Sequence, residues 1–267
     1  MDYSHSESEL ANCSGTFSNS CKNDIFSKML NTVDYLDSKI SGKFIIYRSF
    51  FDVPHIVEFQ IDESKKTHYD SFTPERTNAA IAQESFRING RHLTVSHSTN
   101  TYTVWPSADS YRRDAHEIRF MEELGQIVLV SRTVESIPSS TAECLANYNI
   151  VYYWLNDFDT WEIEDVTTYL GRECWVLSGD LSQISKIIRS MYHIVSIAIT
   201  LYVDCITGVL LKYYLYDVNR KTTDYMYVEK LLFGDSADSV TEFSADTVAG
   251  YRNISPWGLD LKSLEVV

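Results

Sequence analysis

The sequence predicts an α+β chain built on a broad, curved antiparallel sheet, and three observations predict it. An opening segment carries apolar residues at helical spacing. After Gly42 the apolar period changes to two. Three consecutive long runs then follow, Ile197 to Val203, Val209 to Tyr216 and Tyr225 to Phe233, each of strand length and composition.

Taken in order, residues 1–22 are rich in Ser and Asn and read as a flexible leader, leaving 23–267 as a single domain. Ile25, Phe26, Met29, Leu30, Val33, Leu36 and Ile40 recur at steps of three and four, which puts one apolar stripe on a helix. With Asn23 as N-cap and Gly42 as stop, the helix is expected over 24–38. Phe44 to Phe50, Ile56 to Ile61, Ser85 to Ile88, His92 to Ser96 and Tyr102 to Trp105 are short β-branched or aromatic runs, and Asn89-Gly90 between two of them signals a hairpin. Residues 74–84 and 109–125 interrupt this meander with helix formers. In the second, Arg112, Arg113, Asp114, His116, Glu117, Arg119, Glu122 and Glu123 interleave both signs, as on a solvated helix face.

Tyr169 to Leu177 reads as a strand ending at Ser178-Gly179, and Ile184, Ile187, Ile188, Met191 and Val195 predict a helical insertion near 181–195. Turns fall at Cys205-Ile206-Thr207-Gly208 and at Asp217 to Lys221. Gly and Pro number only 10 and 5, so Asn, Asp and Ser must supply most turns. The long strands are apolar on both sides: Val209, Leu211, Tyr213 and Leu215 on one, Leu210, Tyr214 and Tyr216 beside Lys212 on the other. A sheet with one face in water alternates more cleanly, so both faces need cover, by packed helices or by a cavity under a helical lid.

Composition excludes several functions. With 37 acidic against 23 basic residues the net charge is −14, the wrong sign for phosphate neutralisation on nucleic acid or for docking on an anionic leaflet. No apolar run approaches the length that crosses a bilayer as a helix. The first twenty residues lack the charged and apolar regions of a signal peptide, and Leu10-Ala11-Asn12-Cys13 lacks the apolar run that precedes a lipidated cysteine. The five cysteines, Cys13, Cys21, Cys144, Cys174 and Cys205, include no C-x-x-C pair and read as buried thiols. A bridge between Cys174 and Cys205, near strands expected to be neighbours, stays open.

Phosphate-binding glycine loops and a G-x-S-x-G elbow are both missing, and the reading is non-enzymatic, without cofactor. His92, His97 and His116 are too irregularly spaced for a metal set and read as turn or surface residues. Asp157, Asp159, Glu162, Glu164 and Asp165 surround Trp154, Phe158 and Trp161. That run reads first as a solvated acidic loop and second as a protein-contact edge.

Gly171-Arg172-Glu173-Cys174-Trp175-Val176-Leu177, then Tyr202-Val203-Asp204-Cys205-Ile206-Thr207-Gly208 leading to Lys212, then Tyr225 to Phe233, resemble the strand progression of the LolA-like and RseB-like superfamily. The opening helix followed by Ser41 to Tyr47, and Arg87-Ile88-Asn89-Gly90 leading to Trp105, fit the same order, so the matched blocks thread residues 24–235. The resemblance implies an unclosed, strongly curved antiparallel β-barrel of about eleven strands, with helices covering its concave face. It implies acyl-chain or lipid binding as carrier or envelope sensor. It also implies an extracytoplasmic place, periplasmic or on the outer face of the cytoplasmic membrane, with a leader or anchor not in this chain. The helix near 181–195 and the long 109–165 segment depart from the carriers. Asp204 with Thr207-Gly208 also has a plain structural reading, a turn in which the carboxylate accepts amides and Gly takes positive φ.

The expected ligand wall, an apolar concavity, is Phe44, Ile46, Tyr102, Val104, Leu201, Leu211, Tyr213, Tyr227 and Leu231. A one-residue register error would invert its faces. The alternative is a membrane-anchored interaction module with a filled core that contacts a regulatory protein through segment 152–165, with Trp154, Phe158 and Trp161 touching the partner.

Overall fold

The computed structural model describes residues 19–30, 32, 39–65, 67–105, 113–121, 126–134, 145, 154–155, 157–182 and 196–264. A helix, α1 (Asn19–Leu30), precedes β1 (Lys39–Tyr47), β2 (His55–Asp62), β3 (Thr67–Pro74), β4 (Gln83–Ile88), β5 (Arg91–Ser96) and β6 (Thr101–Trp105). A hairpin follows, β7 (Arg113–Met121) and β8 (Gln126–Val134), then β9 (Trp161–Tyr169), β10 (Arg172–Asp180), β11 (Ala198–Asp204), β12 (Leu210–Tyr216), β13 (Thr222–Phe233) and a two-residue β14 (Arg252–Asn253).

Twelve strands form one sheet in the order β14-β6-β5-β4-β3-β2-β1-β13-β12-β11-β10-β9. Every pairing is antiparallel except β14 on β6. The two ends do not meet, so the sheet is an unclosed, curved barrel, as the resemblance implied. β1 joins the halves, pairing with β2 on one side and β13 on the other. Among the described residues the only long helix is α1; the cover expected from a helix near 181–195 falls mostly outside them.

Several sequence expectations are corrected. The helix starts at Asn19 rather than near residue 24, so Asn23 lies inside it and is not its N-cap. Lys22 explains the extension, donating to the Phe158 and Trp161 carbonyls and standing 4.9 Å from the Trp161 ring centre. Residues 31 and 33–38 of that expectation lie outside the described residues. The 109–125 segment holds strand β7, not a helix, because Gln126–Val134, with its apolar run Ile127 to Val130, pairs with it along nine residues. Residues 75–82 form turns pinned at both ends, Glu75 N–H to Pro54 O and Ala82 N–H to Phe72 O. The run Tyr169 to Leu177 is not one strand: Leu170 and Gly171, at φ 53° and 72°, make the two-residue turn that joins β9 to β10. Asn89-Gly90, at φ 48° and 74°, makes the turn expected of it.

The sheet carries two cores on opposite faces. One packs Phe44, Val57, Phe59, Ile61, Leu177, Leu201, Val228 and their neighbours under Ile25, Phe26, Met29 and Leu30 of α1, all buried. The other packs Tyr69, Phe86, Leu93, Val95 and Val104 against Val248 and Leu264 of the C-terminal segment. The register shows the change of face. Phe59 and Ile61 stand opposite Asp70 and His68, so on β3 the α1 side turns polar while Tyr69 faces the second core. The C-terminal segment is tied down by Asp238 to Ser41 and Lys230, by Thr241 to Gln60, and by Tyr251 and Glu84, which hold opposite sides of the His97 ring at 2.8 Å.

Candidate functional site

The α1-covered face of β9–β13, β1 and β2 is the site that the fold builds. At a strand spacing of about 4.8 Å, seven strands make an apolar face roughly 30 Å across. A 12-residue helix is only about 18 Å long and about 10 Å wide. Helix α1 therefore covers part of the face, and Leu145, Trp154 and Leu155 contribute to the same packing.

The C-terminal end of α1 is attached to the turn between β11 and β12. Asp204, 1% exposed, accepts from the Ile206 and Thr207 amides at 3.0 and 2.7 Å and from the Thr207 hydroxyl at 2.8 Å, and pairs with Arg172. Burial alone would raise the Asp204 carboxyl, but these donors outweigh it and hold it below the usual carboxylate value. The turn so fixed receives the helix: Lys28 Nζ donates to Cys205 O at 3.0 Å and Thr32 Oγ1 to Thr207 O at 3.2 Å. Gly208, at φ +70°, lies directly beneath the Lys28 carbonyl, where no side chain fits. The residues that carry the family resemblance thus dock the helix that covers the apolar face.

The nine expected wall residues divide. Phe44, Ile46, Leu201, Leu211 and Tyr213 are buried on the α1 side, and Leu231 packs against that core half-buried. Tyr227 lies on the opposite face, stacked 6.0 Å from Tyr225. The register shift where β13 meets Lys43 and Phe44 puts Tyr227 and Leu231 on different faces, although four residues in a regular strand would keep them on one. Tyr102 and Val104 belong to the second core, under the C-terminal segment. Neither exception was visible in the alternation, because a bulge and a change of core face both leave apolar residues apolar.

The expected partner edge is not a surface. Trp154 and Trp161 are each 1% exposed, donating their indole N–H groups to Asp180 O and Leu155 O. Phe158 meets Phe26 and Trp161 edge-on at 6.1 and 5.8 Å. Gly179 makes room for this packing, since a Cβ there would strike the Thr160 carbonyl and stand 2.9 Å from Trp161 Cα. The acidic residues Asp159, Glu162 and Asp180, with Trp161, Ile199 and Arg220, instead line a cleft of about 540 Å³ at the β9–β11 ends, within the ordinary range for small-molecule sites. None of the nine wall residues borders it.

The opposite face of the long strands is covered by its own side chains. Tyr47 stacks on Tyr225 at 5.5 Å, Tyr214 lies 6.4 Å from both Tyr216 and Tyr225, and Lys212 sits 4.0 and 4.8 Å from the Tyr169 and Tyr202 ring centres. Burial among these rings pushes Lys212 down and Tyr214, Tyr225 and Tyr227 up from their usual values. Tyrosines supply the second apolar face that the sequence showed, an apolar ring body against the sheet and a polar tip at its outer end. Cys174 and Cys205 are both free thiols.

No family model matches the chain, and no curated protein matches it. Among solved structures it is similar to an uncharacterized conserved protein from Thermus thermophilus, at 9% identity and TM-score 0.44, covering 85% of this chain and 97% of that one. It is similar to the complex structure of Pseudomonas aeruginosa MucA/MucB, at 13% and 0.44, covering 85% of this chain but 60% of that one. LprF from Mycobacterium bovis matches at 10% and 0.43, covering 86% and 99%.

Proposed function

We propose that the chain is an extracytoplasmic, non-enzymatic binding domain that takes an acyl chain or lipid-like ligand against the α1 side of its open sheet, as carrier or envelope sensor. One observation carries the reading: among the described residues, the apolar face of seven strands in an unclosed sheet is covered by a short helix, held by Lys22 at the start of β9 and by Lys28 and Thr32 at the β11–β12 turn. A cover held by a few polar bonds can lift and admit a chain that replaces its contacts, at about 0.8 kcal/mol per buried methylene. Of the expected wall, Phe44, Ile46, Leu201, Leu211, Tyr213 and Leu231 face the ligand in this reading. Native mass spectrometry of delipidated protein, re-exposed to dodecanoate, phospholipids and lipopeptides, tests it. A stoichiometric adduct that returns on re-exposure supports the proposal, and no adduct with any of the three overturns it.

A further inference from the structure

The apolar face under α1 does not end at solvent. At β2 it passes, on the same side of the sheet, into a buried polar patch. Ile61 stands opposite His68 and Phe59 opposite Asp70. His68 stands opposite Arg87, and Arg87 opposite His92. Three adjacent strands thus place an imidazole, a guanidinium and a second imidazole in one row, with Asp70 two residues along β3. His68, Asp70 and Arg87 are only 2%, 1% and 1% exposed. The His68 and His92 rings lie 4.8 Å apart, and the buried His68 Nδ1 has no hydrogen-bond partner. Burying such a group without a partner costs free energy, and apolar residues would fill the position more cheaply if it served packing alone.

We infer that this row is the head-group end of the ligand site. The anionic oxygens of an acyl amphiphile, a carboxylate or a phosphate, sit at His68, Arg87 and His92 while its chain lies along the apolar face that begins at Phe59 and Ile61. The inference rests on the acyl-binding reading above and adds the chemistry of the head. An anion fits the row because three of its four ionisable groups are donors, against one carboxylate. It also supplies what His68 lacks. Burial, with the charges of His92 and Arg87 beside it, holds this imidazole well below the usual histidine value, so it is neutral near pH 7. An anion at the row favours the protonated ring, and among the described residues Asp70, Arg87 and His92 are the ionisable groups beside it on β3, β4 and β5.

The test compares dodecanoate with its uncharged glycerol monoester, and with acetate and inorganic phosphate, on delipidated protein by calorimetry. The expected result is dodecanoate at least tenfold tighter than the monoester, with acetate and phosphate far weaker than either. Arg87→Gln and His68→Gln should each weaken dodecanoate about tenfold and leave the monoester unchanged. The ligand comparison on the unaltered protein needs no variant, so it stands if Arg87→Gln fails to fold. A dodecanoate-dependent shift of the imidazole resonance that His68→Gln removes is the direct signature. Equal binding of both amphiphiles overturns the head-group assignment alone. Phosphate or acetate as tight as dodecanoate shows a free-anion site and overturns the amphiphile. Binding of neither amphiphile overturns this inference together with the acyl-binding reading.

Discussion

Gly208→Ala measures how much of the helix cover depends on one turn, and Gly171→Ala provides its control. The two glycines have almost the same backbone, φ +70° and +72°, so an alanine costs each about 1–2 kcal/mol for a left-handed conformation. Their surroundings differ. A Cβ at 171 meets nothing within 4 Å, whereas at 208 it would overlap the Lys28 carbonyl and stand 2.7 Å from the Met29 amide nitrogen. Helical backbone cannot rotate away, so α1 must move from the turn. Overpacking of this kind costs about 1–3 kcal/mol. Stretching the bonds from Lys28 to Cys205 O and from Thr32 to Thr207 O adds about 1 kcal/mol each. Gly171→Ala should therefore lose about 1–2 kcal/mol in urea melts and Gly208→Ala about 4–7. If folded, Gly208→Ala should also bind more of a hydrophobic dye, because the face beneath α1 opens. Losses equal within about 0.5 kcal/mol would refute the claim that the helix bears on this turn.

Asp204 has a folded-state carboxyl below its usual value, so its contribution is complete above about pH 4 and is lost as pH falls through the lowered value. Asp204→Ala should cost about 3 kcal/mol at pH 7 and flatten the acid limb of the stability–pH curve; an unchanged acid limb would count against the turn network. Burial pushes the Cys174 and Cys205 thiols up to about 11 and about 12, so at pH 8 iodoacetamide should label half-buried Cys21 before either of them, as read by peptide mapping, and reach those two only on unfolding. Phe44→Ala removes a ring that is 1% exposed and packs 6.0 Å from Phe59; it should lower stability by about 3–5 kcal/mol, whereas Phe50→Ala, 67% exposed, should change it by less than about 1.

The strands of the meander were legible because each carries its own period-two run, and Asn89-Gly90 and Asp204-x-x-Thr207-Gly208 were legible because a turn's chemistry is local. What the sequence hid is what depends on partners distant in the chain. The interleaved charges of 113–121 suit a helix face and a strand equally, and only the pairing with Ile127 to Val130 decides between them. Trp154, Phe158 and Trp161 looked like an exposed edge because acidic residues surround them, yet Lys22, more than 130 positions away, meets the Phe158 and Trp161 carbonyls. Five of the six wall residues that share the α1 side do so because β1, β11 and β12 alternate there, and Leu231 joins them past the bulge in the β1–β13 pairing that turns Tyr227 away; Tyr102 and Val104 belong to the second core. His68 and Arg87 gave no signal at all, since lone polar residues in a strand are ordinarily taken as its wet side.

Strand β3 shows why a single sheet can have both an apolar and a charged region on one face. His68, Tyr69, Asp70 and Ser71 are all buried in succession, so β3 has no water side. Its apolar side chain, Tyr69, points to the C-terminal segment, and its charged ones share the face of the α1 core. Because the C-terminal segment supplies a second core for β3–β6, that half of the sheet does not need the α1 side for its own packing. Polar groups can then be buried there at a cost borne by Val104, Leu93 and Phe86 on the other side. The α1 side of the sheet can therefore be apolar over β9–β13, β1 and β2 and charged over β3–β5 within a single continuous surface. That gradient suits the amphiphile proposed above, and a sheet with only one core could not supply it without leaving β3–β6 unsupported.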